Sequence, residues 1–165
     1  MTGLTIVPLG TVPRGSIADV VPALSRQTGM ECSVSTLAID PEVAYDRRRG
    51  QYDSRLLLPL LDARVEEAGG RFLGIADVDL FSPVFTFVFG EARFRGDAAL
   101  FSIHRLRPTL YGLPDDPALL RSRARKEAIH ETGHMLGLAH CGVPDCVMRF
   151  SAAVEEVDLK SELFC

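Results

Sequence analysis

Apolar and polar positions along the first half of the chain predict strands and helices in turn. Short β-branched and apolar runs at residues 4–9, 31–39 and 71–76 predict strands. Between them, residues 16–27 and 54–68 carry apolar side chains at the three- and four-residue spacing of helices that bury one face. Strands that alternate with helices favour an α/β fold built on a mostly parallel sheet.

Two later apolar runs have no helix between them. Residues 81–89 and 98–106 both predict strands joined by a turn, so we expect one antiparallel strand at the edge of the sheet. A long helix is predicted over residues 116–139. Residues 41–52 are polar and are expected to form an exposed loop.

Length and composition restrict the class of protein. The 165 residues are 47% hydrophobic and carry a net charge of −4. We expect one domain over residues 1–165, with a sheet-and-helix part to about residue 110, the long helix, and a C-terminal part from residue 140. No membrane-length apolar run and no secretory signal are recognised. We therefore expect a cytoplasmic monomer that binds neither nucleic acid nor membranes.

The candidate chemistry is concentrated in residues 130–140, which read HETGHMLGLAH. On a helix, His130 and His134 lie one turn apart on the same face, so their imidazoles can bind one ion. Zn–N bonds of about 2.0–2.1 Å suit this spacing. Glu131 is turned by about 100° from His130 around the helix axis, where it can act as a general base without binding the metal.

A third histidine completes this set. Gly137 has the permissive backbone that the chain needs to leave the helix abruptly and return His140 to the same ion. Three protein ligands leave one position open for water or substrate, which is typical of a catalytic zinc. Met148 follows in the chain and is expected to form an apolar floor under the imidazoles.

Three of the four cysteines follow the histidines. Cys141, Cys146 and Cys165 could supply thiolates to a second zinc, although a closed structural site needs a fourth ligand. A Cys141–Cys146 disulfide and core thiols without metal are the alternatives, and a reducing compartment weakens the first of them. Cys32 has no partner near it in sequence and is expected in the core.

Other polar side chains carry weaker signals. His104 is expected on a solvated strand face, and Tyr45 and Tyr52 could donate hydrogen bonds in an active site. A basic patch early in the long helix is expected to face solvent, with an anion or substrate-carboxylate site as the alternative. This patch consists of Arg121, Arg123, Arg125 and Lys126.

Residues 130–151, HETGHMLGLAHCGVPDCVMRFS, resemble the archaemetzincins, a branch of the metzincin metallopeptidases. The family pattern continues the three-histidine helix with two cysteines and a turn methionine, which match Cys141, Cys146 and Met148 in order. Residues 73–92 and 160–165 are also similar to family segments, whereas the first part of the chain is similar only loosely.

The resemblance implies a single compact metzincin-like α/β domain with a mixed, mostly parallel twisted sheet, packed on helices that include the zinc-binding one. It implies a catalytic zinc bound by His130, His134 and His140, with Glu131 as the base.

The resemblance also implies a second, structural zinc bound by four cysteines, of which Cys141, Cys146 and Cys165 are three. The family pattern ends in a Cys-x-x-Cys pair, and this chain stops at its first member. We therefore expect that the intact protein is slightly longer or that the fourth ligand differs.

The main hypothesis is a zinc-dependent peptidase that acts on a peptide or protein substrate. Glu131 takes a proton from a zinc-activated water and passes it to the departing amine. Residues 84–89 are expected to be an exposed edge on which an extended peptide pairs. Endopeptidase and aminopeptidase action both stay open. The alternatives are a non-catalytic zinc-dependent domain that binds a peptide or protein tail, and a zinc hydrolase that acts on a non-peptide amide.

Overall fold

The computed structural model describes residues 3–165. Along the chain the elements are β1 (Leu4–Leu9), α1 (Arg14–Ala18), α2 (Val20–Thr28), β2 (Cys32–Val34), β3 (Tyr45–Asp46), β4 (Gln51–Asp53), α3 (Ser54–Ala68), β5 (Arg71–Ala76), β6 (Leu80–Phe81), β7 (Gly90–Ala92), β8 (Ala98–Ser102), α4 (Pro117–Met135) and α5 (Val154–Leu159). Short 3₁₀ turns lie at Pro41–Ala44, His104–Leu106 and Pro108–Tyr111. Within the described residues, no helix is long and apolar enough to cross a bilayer.

Five strands form the main sheet in the order β2–β1–β5–β8–β7. β1 pairs in parallel with β2 and β5, and β5 pairs in parallel with β8. The edge strand β7 runs antiparallel to β8. These pairings confirm the predicted mixed, mostly parallel sheet with one antiparallel edge. Strands β3, β4 and β6 form a second, smaller sheet.

Side chains alternate between the two faces of the central strands and so build two cores. On one face, Leu73 and Phe101 belong to a core shared with α2 and α4. On the other face, Phe72 and Leu100 pack with Leu61 of α3. Helices therefore cover both faces, as parallel strands made mostly of apolar residues require. This packing holds α4, which carries the histidine motif, against the sheet.

The strand predicted over residues 81–89 is wrong. After β6 the chain turns at Ser82, whose carbonyl oxygen accepts a hydrogen bond from the amide of Phe85 at 2.8 Å. The guanidinium of Arg49 then donates to the carbonyl oxygens of Phe85 and of the following residue. Aromatic side chains of this segment line a cavity rather than a sheet, which explains its apolar pattern. The edge strand expected within residues 84–89 is instead β7.

Three other predicted elements differ in extent. The helix at residues 16–27 is divided into α1 and α2, because Pro22 has no N–H to continue the hydrogen bonds of the first helix. The strand at residues 31–39 shortens to β2, since the Ser35 side chain bonds locally to the backbone two residues ahead. Residues 41–52, expected as an exposed loop, contain β3 and part of β4.

The basic patch on α4 is not a solvated face. Arg123 is only 3% exposed, and it donates to both carboxylate oxygens of Asp158 at 2.7 Å and to the carbonyl oxygen of Leu106 at 2.8 Å. Buried Lys126 donates to the carbonyl oxygen of Asp158 at the end of α5. Arg121 pairs with Asp19 on the other side of the patch. The contacts of Arg123 and Lys126 with Asp158 hold α5 on α4, and sequence could not show them because α5 comes much later in the chain.

Replacing Arg123 tests this attachment. Arg123→Met leaves the Leu106 carbonyl and the Asp158 carboxylate without their donor, so we expect the free energy of unfolding to fall by about 2–4 kcal/mol. Arg121→Met removes a half-exposed ion pair and should cost less than about 1 kcal/mol. Urea unfolding at fixed zinc concentration measures both variants. Equal losses would show that Arg123 does not hold α5.

Candidate metal centre

Helix α4 begins where the sequence predicts and ends earlier. Asp116 caps its first turn by accepting a hydrogen bond from the amide of Leu119 at 2.9 Å. The helix stops at Met135 rather than at residue 139, and Gly137 follows with a left-handed φ of +89°. This abrupt ending lets the chain turn back and bring His140 beside the helix.

The Nε2 atoms of the three histidines converge on one point. His134 Nε2 lies 3.1 Å from His130 Nε2 and 3.2 Å from His140 Nε2. Two zinc–nitrogen bonds of about 2.0–2.1 Å at a tetrahedral angle place the nitrogens about 3.3–3.4 Å apart. The cluster therefore has the spacing of three ligands of a single zinc ion.

Hydrogen bonds and burial prepare these rings to bind a metal. His130 Nδ1 donates to the carbonyl oxygen of Val147, and His134 Nδ1 donates to that of Leu138, both at 2.8 Å. Each bond leaves the lone pair on Nε2. Burial lowers the pKa of His130 to about 4, and it lowers the pKa of His134 and of His140 as well. The three imidazoles are thus neutral near pH 7, the state that binds metal.

Glu131 is buried between α4 and the edge strand. Burial raises the pKa of Glu131 well above its ordinary value, and the neighbouring carboxylate of Glu127 raises it further. Gly90 of β7 permits this position, because a Cβ there would lie 2.6 Å from Glu131 Oε1 and 2.7 Å from the carbonyl oxygen of Leu100. The carboxylate therefore lies directly against the backbone of β7.

Met148 packs against α4 between the two helical histidines. It is buried, and a Cβ added at Gly133 would collide with its sulfur. The carbonyl oxygen of Met148 accepts a hydrogen bond from the amide of Cys141 at 3.0 Å. The residue after His140 is thereby tied to the methionine that contacts the helix.

The cysteines form a second cluster. The sulfur atoms of Cys141, Cys146 and Cys165 all lie within 4.8 Å of one another, and those of Cys141 and Cys165 are 3.8 Å apart. Tetrahedral zinc with Zn–S bonds of about 2.3 Å separates its sulfur ligands by about 3.8 Å. No disulfide joins any of the cysteines in residues 3–165, so the alternative Cys141–Cys146 bond is not formed.

A cavity of about 660 Å³ opens onto the histidines and Glu131. Strand β7 borders it, and polar side chains that include Glu127, Ser151 and Lys160 also reach it. Much of its wall is aromatic. The aromatic lining residues are Phe85, Phe87, Phe89, Phe94 and Phe150.

The remaining candidates lie elsewhere. Cys32 is half-buried against the core and bonds weakly to a backbone carbonyl, away from the other cysteines. His104 is half-buried in a 3₁₀ turn and not on a strand, since β8 already ends at Ser102. Tyr45 and Tyr52 contact each other in the small sheet, with tilted rings whose centroids are 5.0 Å apart, and do not line the cavity.

Sequence reasoning missed three residues of this centre. Glu127 lies one helical turn before Glu131, a spacing that the sequence displays and that places both on one face. Lys160 and Gly90 gave no local signal. Their positions beside the cavity depend on how distant segments pack.

The chain matches a known sequence family. The sequence model of Peptidase family M54 matches residues 30–165. An archaemetzincin from Methanocaldococcus jannaschii is 41% identical over 162 residues, which cover 98% of this chain and 88% of that protein. One from Pyrococcus furiosus is 38% identical over an alignment of 174 residues that covers 98% of this chain and 88% of that protein.

Solved structures share the fold. A zinc-dependent peptidase from Methanocorpusculum labreanum superposes with a TM-score of 0.90 at 31% identity, over 99% of this chain and 96% of that one. The archaemetzincin of Archaeoglobus fulgidus, crystallised with malonate, gives a TM-score of 0.84 at 35% identity, over 99% and 95%. These likenesses confirm the predicted α/β class.

Gly90→Ala tests the close approach of the edge strand to Glu131. The added methyl group would meet the Leu100 carbonyl oxygen and Glu131 Oε1 within 2.7 Å, so we expect the free energy of unfolding to fall by about 1–3 kcal/mol. Gly142→Ala is the matched control, because a Cβ there meets nothing within 4 Å. Chemical denaturation compares the two. Equal stabilities would contradict the tight packing of Glu131 on β7.

Proposed function

This chain belongs to peptidase family M54, the archaemetzincins, and from that premise we propose that it hydrolyses peptide bonds at the cluster of His130, His134 and His140. The observation that carries the proposal is the convergence of three neutral imidazole nitrogens beside a buried carboxylate, Glu131, in an accessible cavity. Zinc is the metal that the family membership supports, and the spacing of the nitrogens fits it.

Each group has a distinct task. The three histidines would hold the zinc, which would supply a Lewis acid for a carbonyl oxygen and lower the pKa of a water molecule. Glu131 accepts a proton from that water at its carboxylate and later donates it to the departing amine. Contact with Gly90 and enclosure between α4 and β7 orient the carboxylate for both transfers.

The edge strand supports a mode of substrate binding. Among residues 3–165, β7 has a neighbouring strand on one side only, and it borders the cavity. An extended peptide can therefore pair with its free backbone groups and pass in front of the histidines. A peptide or protein segment is the partner that this assignment requires. A non-catalytic peptide-binding domain would not need a buried carboxylate beside the histidines.

We assign a structural role to the second cluster. Cys141, Cys146 and Cys165 have the mutual spacing of thiolate ligands of a zinc ion. Cys141 is adjacent to His140 in the chain, so this second zinc would stabilise the loop that returns the third histidine to the first site.

Glu131→Ala tests the proposed base. We expect zinc content to stay that of the wild type, while peptide hydrolysis falls by about 10²–10⁴-fold because no group accepts the proton. Metal analysis together with a peptide-library assay measures both. His134→Ala is the control that should lose the catalytic zinc itself. Unimpaired hydrolysis in the Glu131 variant would rule out this mechanism.

Zinc stoichiometry tests the second cluster. The intact, reduced protein should bind two zinc ions per chain, and Cys146→Ser and His134→Ala should each remove a different one. Elemental analysis of the three proteins counts the zinc ions. In chemical denaturation, the histidine variant should keep the free energy of unfolding of the wild type, whereas the cysteine variant should lose stability. A single zinc ion in the intact wild type would remove the structural site.

A further inference from the structure

One part of the cavity is polar and lies one helical turn before Glu131. Glu127 of α4, Lys160 after α5 and Ser151 after the methionine turn all line it. Glu127 is 3% exposed and Lys160 is 2% exposed, so water scarcely reaches either charge. We call these three residues the Glu127 pocket.

The polar atoms of the Glu127 pocket are incompletely bonded. Lys160 Nζ lies 3.0 Å from Glu127 Oε1 and forms an ion pair with it. Lys160 Nζ donates to the carbonyl oxygen of Arg149 at 3.3 Å, which leaves further N–H groups available. Within residues 3–165, the buried Ser151 Oγ has no partner. A buried polar atom without a partner is rare in native proteins, and here it belongs to a residue that lines a cavity.

The walls of the same cavity are apolar. Phe87 and Phe89 contact each other edge to face at 5.3 Å between ring centroids. Phe150 lies beside His140 at 5.3 Å. An aromatic side chain that binds among these rings is stabilised more than an aliphatic one, because edge-to-face ring contacts add to the burial of apolar area.

We propose that the Glu127 pocket binds a tyrosine side chain of the substrate next to the scissile bond. The assignment rests on the proposed function, in that the cavity must receive a peptide. The phenol hydroxyl donates to the Glu127 carboxylate and accepts from Lys160 Nζ or from the Ser151 hydroxyl. Its ring lies against the phenylalanines.

Other side chains satisfy the Glu127 pocket less well. Phenylalanine fills the same space but leaves Ser151 Oγ unpaired and offers no hydroxyl to the Glu127–Lys160 ion pair, and sites built to bond a hydroxyl discriminate against the analogue that lacks it. Lysine, arginine or glutamate adds a third buried charge to a pair that is already neutral. Glutamine has the polar tip but no ring for the aromatic wall.

Two peptide series test the assignment. Ala-Ala-Gly-Xaa-Ala-Ala and Ala-Ala-Xaa-Gly-Ala-Ala, with Xaa as Tyr, Phe, Gln or Lys, place the test residue on either side of the Gly-Xaa or Xaa-Gly bond. Cleavage by the zinc-loaded protein gives kcat/KM. Binding of the fluorescein-labelled peptides to zinc-loaded Glu131→Gln gives a readout that does not depend on hydrolysis. We expect one series to favour Tyr over Phe by about 10- to 100-fold in both measurements.

Variants link the preference to the pocket. Ser151→Ala should reduce the Tyr-to-Phe ratio several-fold, and the double variant Glu127→Gln/Lys160→Met should bring it close to one. If the double variant does not fold, Ser151→Ala alone decides, since it removes one hydroxyl. Ser35→Ala removes a hydroxyl that lies outside the cavity and should keep the wild-type ratio.

The outcomes separate this inference from the proposed function. Cleavage of both series without a Tyr preference, or with Gln or Lys preferred, overturns the inference and leaves the peptidase intact. Selective binding of the Tyr peptides without cleavage supports the inference and counts against hydrolysis. An absence of both binding and cleavage overturns the two together.

Discussion

His130 Nδ1 donates a hydrogen bond to the carbonyl oxygen of Val147 at 2.8 Å, and both candidate metal sites depend on the segment that supplies this oxygen. Cys146 precedes Val147 with a sulfur for the second cluster, and Met148 follows it with a side chain packed on α4. The amide of Val147 in turn donates to the carbonyl oxygen of Leu163 at 2.9 Å, close to the last cysteine. One short turn thus orients a histidine, supplies a thiol and contacts the helix.

The charged residues of α4 also depend on the C-terminal segment that covers this helix. The helix buries charged residues on the sides that face the C-terminal segment, and two of them pair with an opposite charge there. Arg123 pairs with Asp158, and Glu127 pairs with Lys160. A buried charge without a partner is costly, so the helix is stable in this place only while the C-terminal segment covers it. The contacts that stabilise the fold and those that shape the cavity therefore share residues.

Local patterns predicted the elements whose residues interact mainly with their neighbours in sequence. The strands at Leu4–Leu9 and Arg71–Ala76 and the helix at Ser54–Ala68 are as expected. The apolar run at residues 81–89 gave a wrong prediction because its aromatic side chains line the wall of a cavity. Composition alone does not distinguish such a segment from a buried strand. The basic run on α4 misled because its counter-ions are far away in sequence, at Asp19 before α2 and at Asp158 and Glu162 in the C-terminal segment.

By itself, the sequence determined the α/β class, the grouping of His130, His134 and His140 and the place of Glu131 beside them, since helical geometry and one glycine set these relations within a few residues. Only the tertiary structure decided that Gly90 lies against Glu131 and that Lys160 meets Glu127 in the cavity. The physical reason is the separation in sequence between the residues that are in contact. Periodicity describes contacts along one element, whereas these contacts join segments that are brought together only when the sheet and the C-terminal turn pack on α4.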